Sequence, residues 1–317
     1  MSMKTLLITG ACGFLGSEIV CQAQEAGWAV RAFDCTLRVL PPGIQGIAAD
    51  ISDMVALREA LEGCDAVIHA AGLAHVFGRQ ATDASRFQSV NEVGTARVIE
   101  AAVATGIRRI VHVSSVSVYG SHTDGMCAES HPCDPVGAYA VSKWNAERRA
   151  MECVGRSDVS LKILRFATMY GDGDRGNVAQ LIVALRRGRF VWPGLGLNKK
   201  SLIHKVDAAR ACLRALEKDG ERVEIYNVSS PPVSLQEIVS AICSAMGKPV
   251  PRMRIPASLI GASRILALIP GKPRSLYESI AKITRDDAYD ASLFNSIYDF
   301  QTLVSLDEGM RSAVASL

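Results

Sequence analysis

Three residues carry side chains suited to interconverting an alcohol and a carbonyl group. Tyr139 and Lys143 are four residues apart, a spacing that places both side chains on one face of a helix. An ammonium beside a phenol stabilises the phenolate and lowers its pKa, so Tyr139 is expected to exchange a proton with a substrate. Ser115 is expected to donate a hydrogen bond to the substrate oxygen as negative charge develops there.

A tyrosine four residues before a lysine is also a common coincidence. The alternative interpretation is an exposed tyrosine near a solvated lysine. The segment 113–120, Val-Ser-Ser-Val-Ser-Val-Tyr-Gly, favours the catalytic interpretation. It predicts a buried strand that ends in hydroxyl side chains, and the carboxyl edge of a doubly wound sheet is where such folds bind ligands.

A glycine-rich segment follows the first predicted strand. Gly10, Gly13 and Gly16 lie where strand 4–9 passes into a helix. Such a turn lets backbone N–H groups approach a pyrophosphate, whose negative charge the helix dipole stabilises. A tight turn without a ligand is the alternative. However, Asp34 ends the second predicted strand, where a carboxylate can accept both ribose hydroxyls of an adenosine. This order of features predicts a dinucleotide site.

Two residues bear on the choice of dinucleotide. The Asp34 carboxylate would repel the extra phosphate of NADP, so NAD is the predicted cofactor. Arg38 is near enough in sequence to accept that phosphate, and NADP stays possible. The nicotinamide would supply the hydride chemistry.

The first half of the chain alternates short apolar runs with longer helical patterns, which is typical of βαβ units and a parallel sheet. The predicted strands are 4–9, 29–33, 46–49, 66–69, 110–114 and 160–165, and the predicted helices are 14–26, 54–61, 86–105 and 139–153. A helix over 207–217 and a strand over 224–228 indicate that the chain later returns to the sheet.

The predicted fold is therefore α/β, a doubly wound parallel sheet (Rossmann fold) with a smaller, mixed C-terminal substrate lobe. The dinucleotide-binding domain would comprise 1–171 and about 202–229. The substrate-binding lobe would comprise about 172–201 and 230–317, so that both units are discontinuous in sequence.

Composition and charge exclude several functional classes. The 35 basic and 32 acidic residues give a net charge of +3, and without a dense basic run we expect no nucleic-acid partner. Nine cysteines show no metal-ligand spacing, so no metal is predicted. Their odd number and the lack of a signal peptide indicate a cytoplasmic protein.

One apolar segment, 259–269, raises the question of a membrane. It is interrupted by Arg264 and is much shorter than the roughly 20 residues of a spanning helix. We predict no integral membrane segment and interpret 259–269 as a buried or dimer-edge helix. Peripheral membrane contact is the alternative.

With these motifs the chain resembles the extended short-chain dehydrogenase/reductases, the family of nucleotide-sugar epimerases and dehydratases, over nearly its whole length. The resemblance also rests on His-Ala-Ala-Gly at 69–72, on Asn91 in Val-Asn-Glu-Val-Gly-Thr, and on Arg165 leading to Tyr170-Gly171. Taken singly, His69 and Asn91 would more often be structural.

The resemblance implies a set of cofactor-binding residues. Asp50 and Ile51 would lie near the adenine, residues 70–72 along the cofactor, and Ser114 near the nicotinamide. The whole set is Gly10, Gly13, Phe14, Leu15, Gly16, Asp34, Asp50, Ile51, Ala70, Ala71, Gly72, Asn91, Ser114, Tyr139, Lys143 and Phe166.

The resemblance also bears on the reaction. Dehydratases of this family carry Thr-Asp-Glu where this chain has Ser115-Val116-Ser117. Without that acid/base pair, dehydration is disfavoured. Two reactions stay open. One is epimerisation with NAD kept bound, expected at C4 of a UDP-hexose or UDP-N-acetylhexosamine, and the other is reduction of a 4-keto sugar.

Further residues are implied as substrate contacts. Asn177 would open a helix beside the diphosphate, Lys200 would bind phosphate, and Arg285 would be a further basic contact. Each could equally be a helix cap or a surface charge. Ser115, Ser117 and Thr168 would face the sugar. Thr168 stands where sugar epimerases often have asparagine, and Lys200 where arginine is commoner, so the sugar is not specified.

Two rival functions and one assembly follow from the same residues. The segment 170–175 and the C-terminal segment 289–309 also resemble hydroxysteroid or sterol dehydrogenases. A non-catalytic, dinucleotide-binding sensor is the rival from another class, although a sensor needs no Tyr/Lys pair. Family members pair through two long helices, which here predicts a homodimer through 86–105 and 139–153.

Overall fold

The computed structural model describes residues 3–74, 83–120, 125–155, 157–218, 220–255 and 285–317. The segment 259–269 lies outside them. The strands are β1 Thr5–Thr9, β2 Ala29–Asp34, β3 Gln45–Ala48, β4 Ala66–His69, β5 Arg109–Ser115, β6 Ser160–Phe166, β7 Thr168–Tyr170, β8 Trp192–Pro193, β9 Lys199–Lys200, β10 Leu202–His204, β11 Val223–Val228, β12 Val233–Ser234 and β13 Arg254–Ile255.

The helices alternate with these strands through most of the chain. They are α1 Gly16–Glu25, α2 Met54–Leu61, α3 Ala84–Phe87, α4 Gly94–Ala104, α5 Ala138–Val154, α6 Asn177–Arg186, α7 Lys205–Ala215, α8 Leu235–Ala245, α9 Ser292–Tyr298 and α10 Leu306–Ala315. A π-helical turn, Gln88–Val93, joins α3 to α4, and a 3₁₀ turn, Val116–Tyr119, follows β5.

Seven strands form one sheet in the order β11-β6-β5-β4-β1-β2-β3, and all of its pairs are parallel. The predicted doubly wound α/β fold is confirmed. The chain builds outward from β1 to β3 and then crosses back to β4 on the other side of β1. The crevice between the carboxyl ends of β1 and β4 is therefore the topological switch point, where such sheets bind ligands.

Two apolar layers sandwich the sheet. Leu6 and Ile8 of β1 pack on one side with α1 and α7, whereas Leu7 packs on the other side with α2, α4 and α5. Because both faces are covered, the strands are continuously apolar rather than alternating. All four residues of β4, for example, are buried.

The predicted helix 86–105 is interrupted. Its middle turn is π-helical around Asn91, and the hydroxyl of Thr95 donates to the Asn91 backbone carbonyl at 2.5 Å. One extra residue in this turn directs the Asn91 side chain toward the loop after β4. Single π-helical turns of this kind are frequent at functional sites.

A third apolar cluster lies beside the sheet and joins α6, α8 and α10 with Trp192 and Tyr170. A second part of the predicted C-terminal lobe packs elsewhere: Phe294, Tyr298 and Phe300 join Tyr226 in the core of the large sheet. The two-lobe division stays a prediction. No helix within the described residues is long and apolar enough to cross a membrane.

Candidate active site

The glycine turn between β1 and α1 is built from close backbone contacts. Gly10 has a φ of 69°, and a Cβ there would lie 2.6 Å from the backbone of Ala71. A Cβ at Gly16 would lie 1.9 Å from the Gly10 carbonyl oxygen, whereas one at Gly13 would meet only that oxygen, at 3.1 Å. Gly10 and Gly16 are thus required for packing, and Gly13 keeps the face of the turn open.

Helix α1 starts at this turn without a side-chain cap. The Ser17 N–H donates to the Gly13 carbonyl at 3.0 Å. Backbone N–H groups at the start of a helix that lack an intrahelical partner can bind a pyrophosphate. Leu15 is buried in the core, while Phe14 is half-buried with the ammonium of Lys205 5.7 Å from its ring centroid. Lys205 also pairs with Asp172, at 2.8 Å. The residues present fit a dinucleotide.

Asp34 ends β2 beside the turn, as predicted. Its carboxylate accepts hydrogen bonds from the backbone N–H groups of Cys12, at 2.9 Å, and Thr36, at 3.1 Å. These contacts fix the carboxylate at the edge of the turn, where it can accept ribose hydroxyls. The Arg38 backbone N–H donates to the sulfur of Cys12, so Arg38 also belongs to this corner.

The residues expected along the rest of a dinucleotide follow the carboxyl edge. Asp50 accepts from the Ser52 N–H, and this hydrogen bond lowers the pKa of Asp50. Ile51 packs against Gly94, and residues 70–72 follow β4 directly.

Asn91 does not point to open space. Its side chain holds both backbone groups of Leu73 and donates to the Ser142 hydroxyl at 2.9 Å. Asn91 thus fastens the loop after β4 to helix α5.

Ser115, Tyr139 and Lys143 converge at the end of β5. Burial raises the pKa of Tyr139, and the interaction of its hydroxyl with the Ser115 side chain opposes that rise. The Ser115 hydroxyl also accepts a hydrogen bond from the Ser117 N–H at 3.2 Å. The Lys143 ammonium donates to the Val113 carbonyl at 2.6 Å. Burial lowers the pKa of Lys143 to about 8. The predicted lowering of the Tyr139 pKa by Lys143 is therefore not present in this arrangement.

Two predicted cofactor residues turn away from the crevice. The Ser114 hydroxyl donates to the buried carboxylate of Glu147, because alternate strand residues face opposite sides of the sheet. Phe166 is fully buried in the core. Any cofactor contact at Ser114 or Phe166 would have to come mainly from the backbone.

Two predicted sugar-facing residues, Ser117 and Thr168, follow the carboxyl ends of the neighbouring strands β5 and β6. The half-buried Ser117 follows Ser115 on the 3₁₀ turn, and within the described residues its buried hydroxyl makes no hydrogen bond. Thr168 begins β7, which continues from β6. The Ser117 hydroxyl has the capacity to bind a ligand.

The predicted diphosphate contacts fall into two groups. Asn177 opens α6 as expected and is exposed. Lys200 and Arg285 meet at Asp287: the Lys200 ammonium lies 2.6 Å from one carboxylate oxygen and Arg285 Nε 2.9 Å from the other. Lys200 also donates to the Arg285 carbonyl at 2.9 Å. The structure thus brings two predicted cations together around a shared acid.

Sequence reasoning missed Asp287 and Glu147. Asp287 lies two residues after Arg285, which a search for ion pairs could have noticed. Glu147 continues the four-residue spacing of Tyr139 and Lys143 along one face of α5. No cluster of three or more potential metal-ligating side chains occurs in the described part of the chain.

Comparison with known proteins agrees with this arrangement. The family described as "NAD dependent epimerase/dehydratase family" matches residues 6–229, which include the turn, Asp34 and the triad. This chain belongs to that family. It is an NAD-dependent enzyme of the extended short-chain dehydrogenase/reductase type, which confirms the resemblance, the enzyme class and NAD as the cofactor.

Several known proteins are similar to this chain over most of their length. The N-acetyl-alpha-D-glucosaminyl-diphospho-ditrans,octacis-undecaprenol 4-epimerase of Escherichia coli O157:H7 is 29% identical, over 92% of this chain and 88% of the relative. A 2-alkyl-3-oxoalkanoate reductase of Stenotrophomonas maltophilia is 29% identical over 98% of both chains. The structure of MoeE5 in complex with UDP-glucose and NAD has a TM-score of 0.78 and 28% identity, covering 98% of this chain and 97% of MoeE5.

Proposed function

We propose that this enzyme transforms the C4 hydroxyl of a nucleotide-activated sugar, a UDP-hexose or UDP-N-acetylhexosamine, by epimerisation or by reduction of the 4-keto sugar. The observation that carries the proposal is the contact of Tyr139 with Ser115 beside Lys143, at the carboxyl end of β5, the strand next to β4 of the switch point. The sugar-diphosphate substrate named for the Escherichia coli relative and the UDP-glucose bound to MoeE5 support this substrate class.

The triad would manage the proton of the reacting hydroxyl. Tyr139 is the proton acceptor and donor, and Ser115 donates a hydrogen bond to the oxygen on which charge develops. Lys143, held by the Val113 carbonyl, supplies positive charge to the site below a pH of about 8. When bound, NAD supplies hydride acceptance and donation, and in its oxidised form a positive charge that favours the phenolate. The glycine turn and Asp34 would hold it.

Dehydration is a poorer fit to this site. Elimination of water needs a further acid/base pair next to Ser115, but Val116 and Ser117 occupy those positions, and Val116 is buried. Hydroxyls at 115 and 117 can bind a sugar without removing its hydroxyl groups.

The cations near Asp287 would bind the substrate diphosphate. We expect Lys200→Ala to raise KM for a sugar nucleotide about tenfold and to change kcat little, because a charge-assisted contact worth about 1.5 kcal/mol is lost from ground and transition states alike. Lys199→Ala is the matched control, since Lys199 precedes it on β9 and its side chain is exposed. Steady-state kinetics of the two variants make the comparison. Equal KM values for the Lys200→Ala and Lys199→Ala variants would show that Lys200 does not bind the substrate.

A substrate panel tests the function. UDP-, GDP- and dTDP-sugars, and one polyprenyl-diphosphate-linked N-acetylhexosamine, are incubated with and without added NAD(H) and followed by NMR. Isomerised sugar without net change of cofactor identifies an epimerase, whereas stoichiometric change of NADH identifies a reductase or dehydrogenase. Oxidation of a 3β-hydroxysteroid with no turnover of any sugar would overturn the proposal in favour of the steroid alternative. NAD binding without any turnover would favour the sensor.

We also propose a homodimer. Within one protomer α4 and α5 pack side by side, and a second copy would extend them into a four-helix bundle.

A further inference from the structure

Glu147 lies one helical turn after Lys143 on α5 and is fully buried. Its carboxylate accepts hydrogen bonds from Arg165 Nε at 3.0 Å and from Arg165 Nη2 at 2.7 Å, and one more from the Ser114 hydroxyl. Ser114 on β5 and Arg165 on β6 are register partners in the parallel sheet. Glu147 therefore joins α5 to two neighbouring strands at once.

Lys143 joins α5 to the same strand one residue earlier, through the Val113 carbonyl. Two consecutive turns of the helix thus contact two consecutive residues of β5, and Ser115 follows directly. The register of α5 along β5 decides whether the Tyr139 hydroxyl reaches Ser115. The contacts of Lys143 and Glu147 with β5 hold α5 in that register.

We propose that Glu147 is a positioning residue for the proton transfer at Tyr139: it fixes the register of α5 on β5 and is the counter-charge that keeps Lys143 in its ammonium form. This inference rests on the proposed function, because Glu147 acts only through Tyr139 and Lys143.

Stability of the fold is a weaker explanation for the Glu147–Arg165 pair. Removing a carboxylate and a guanidinium from water costs about as much as their attraction returns, and apolar side chains of the same volume often stabilise an interior as well or better. A buried ion pair is therefore better explained by a geometry or a charge that it fixes than by a contribution to stability. This one lies one turn from Lys143 and contacts the strand that carries Ser115.

Among the residues that the structure describes, the other titratable groups that face Lys143 supply no negative charge. His69 on β4 and His112 on β5 are buried and stacked 5.3 Å apart. Burial and the nearby Lys143 lower the pKa of both histidines, to about 3 for His69, so both are neutral at working pH. Tyr139, on the same helix as Lys143, is a phenol whose pKa burial raises.

Glu147 is thus the acid that opposes the effect of burial on Lys143. Burial lowers the pKa of that ammonium to about 8, and the carboxylate raises it. Arg165, whose guanidinium lies 2.7 Å from the carboxylate, balances the charge of Glu147. If Glu147 became neutral, the Lys143 pKa would fall further, and the ammonium would be lost at a lower pH.

The pKa of Lys143 can be measured without any substrate, from the pH dependence of its ¹³Cε resonance in protein labelled at lysine. The variant Lys143→Arg assigns the resonance. In Glu147→Gln, which keeps the side-chain volume, we expect the Lys143 pKa to fall by about one pH unit or more, so that the ammonium fraction at pH 8 drops about fivefold. The value of kcat/KM should fall by the same factor at pH 8 and change little at pH 6.

Glu152→Gln is the matched control, because Glu152 lies on the same helix with an exposed side chain, and it should leave both profiles unchanged. Should Arg165, left unpaired, prevent Glu147→Gln from folding, Glu147→Asp keeps the charge but withdraws it from Lys143, and its Lys143 pKa should be intermediate. An unchanged Lys143 pKa in a folded Glu147 variant overturns the proposal. A lowered Lys143 pKa in a protein that turns over no sugar overturns the proposed function alone.

Discussion

Replacing Tyr139 with phenylalanine is expected to lower kcat about 10²-fold or more while NAD binding stays nearly intact. The substitution removes the hydroxyl that interacts with Ser115 and that would exchange the substrate proton. It keeps the ring, which packs edge-on against Phe87 at a centroid distance of 6.1 Å. Single-turnover measurement of the chemical step and calorimetric titration with NAD separate the two effects.

Tyr226→Phe controls for the loss of any buried tyrosine hydroxyl. Tyr226 lies on the edge strand β11, and its hydroxyl donates to Glu224 at 2.8 Å, away from the switch point. We expect its kcat to stay within about twofold of the unaltered enzyme. A Tyr139→Phe protein that retained full kcat on the substrate found in the panel would show that another group moves the proton.

Ser115→Ala should lower kcat less than Tyr139→Phe, because it removes a hydrogen-bond donor rather than the proton acceptor. The two effects should not add in the double variant, since both residues would act on the same substrate oxygen.

Patterns local in sequence predicted most of the fold. The six strands of the first half lie within about two residues of their predicted bounds, because a sheet covered on both faces requires continuous apolar runs that are visible without a structure. The glycine turn and the Tyr139–Lys143 pair were predictable for the same reason. Their geometry depends on spacing within a single turn or a single helix.

Contacts between distant segments could not be predicted in this way. Glu147 meets Ser114 and Arg165 only because β5 and β6 pair in a particular register, and a spacing along one helix says nothing about the strands beneath it. Lys200 and Arg285 were predicted as separate phosphate contacts, but the two residues that Asp287 brings together are 85 positions apart in the chain. The raised pKa of Tyr139 likewise follows from burial, which the sequence does not specify.

The π-helical turn is a subtler case. The apolar pattern of 86–105 predicted one continuous helix, and the residues on both sides of the turn are helical. At this turn the Asn91 side chain hydrogen-bonds to both backbone groups of Leu73. The irregularity thus coincides with contacts to a distant segment, which the local periodicity does not contain.

The second large effect is expected at the glycine turn, where Gly13→Val should weaken NAD binding at least about tenfold, equivalent to about 1.4 kcal/mol, or abolish it. A side chain at Gly13 would project from the open face of the turn and meet only the Gly10 carbonyl oxygen. It would therefore occupy the space through which a pyrophosphate approaches the first N–H groups of α1. The thermal unfolding midpoint should change little.

Gly16→Val provides the contrast, because the two glycines are three residues apart but have different surroundings. A Cβ at Gly16 would lie 1.9 Å from the Gly10 carbonyl oxygen, so the backbone itself must move. We expect a loss of stability of about 1–3 kcal/mol or more together with the loss of NAD binding. Calorimetric titration with NAD and thermal unfolding of both variants therefore distinguish a blocked site from a damaged fold. A folded Gly13→Val protein with unchanged NAD affinity would place the dinucleotide elsewhere in the chain.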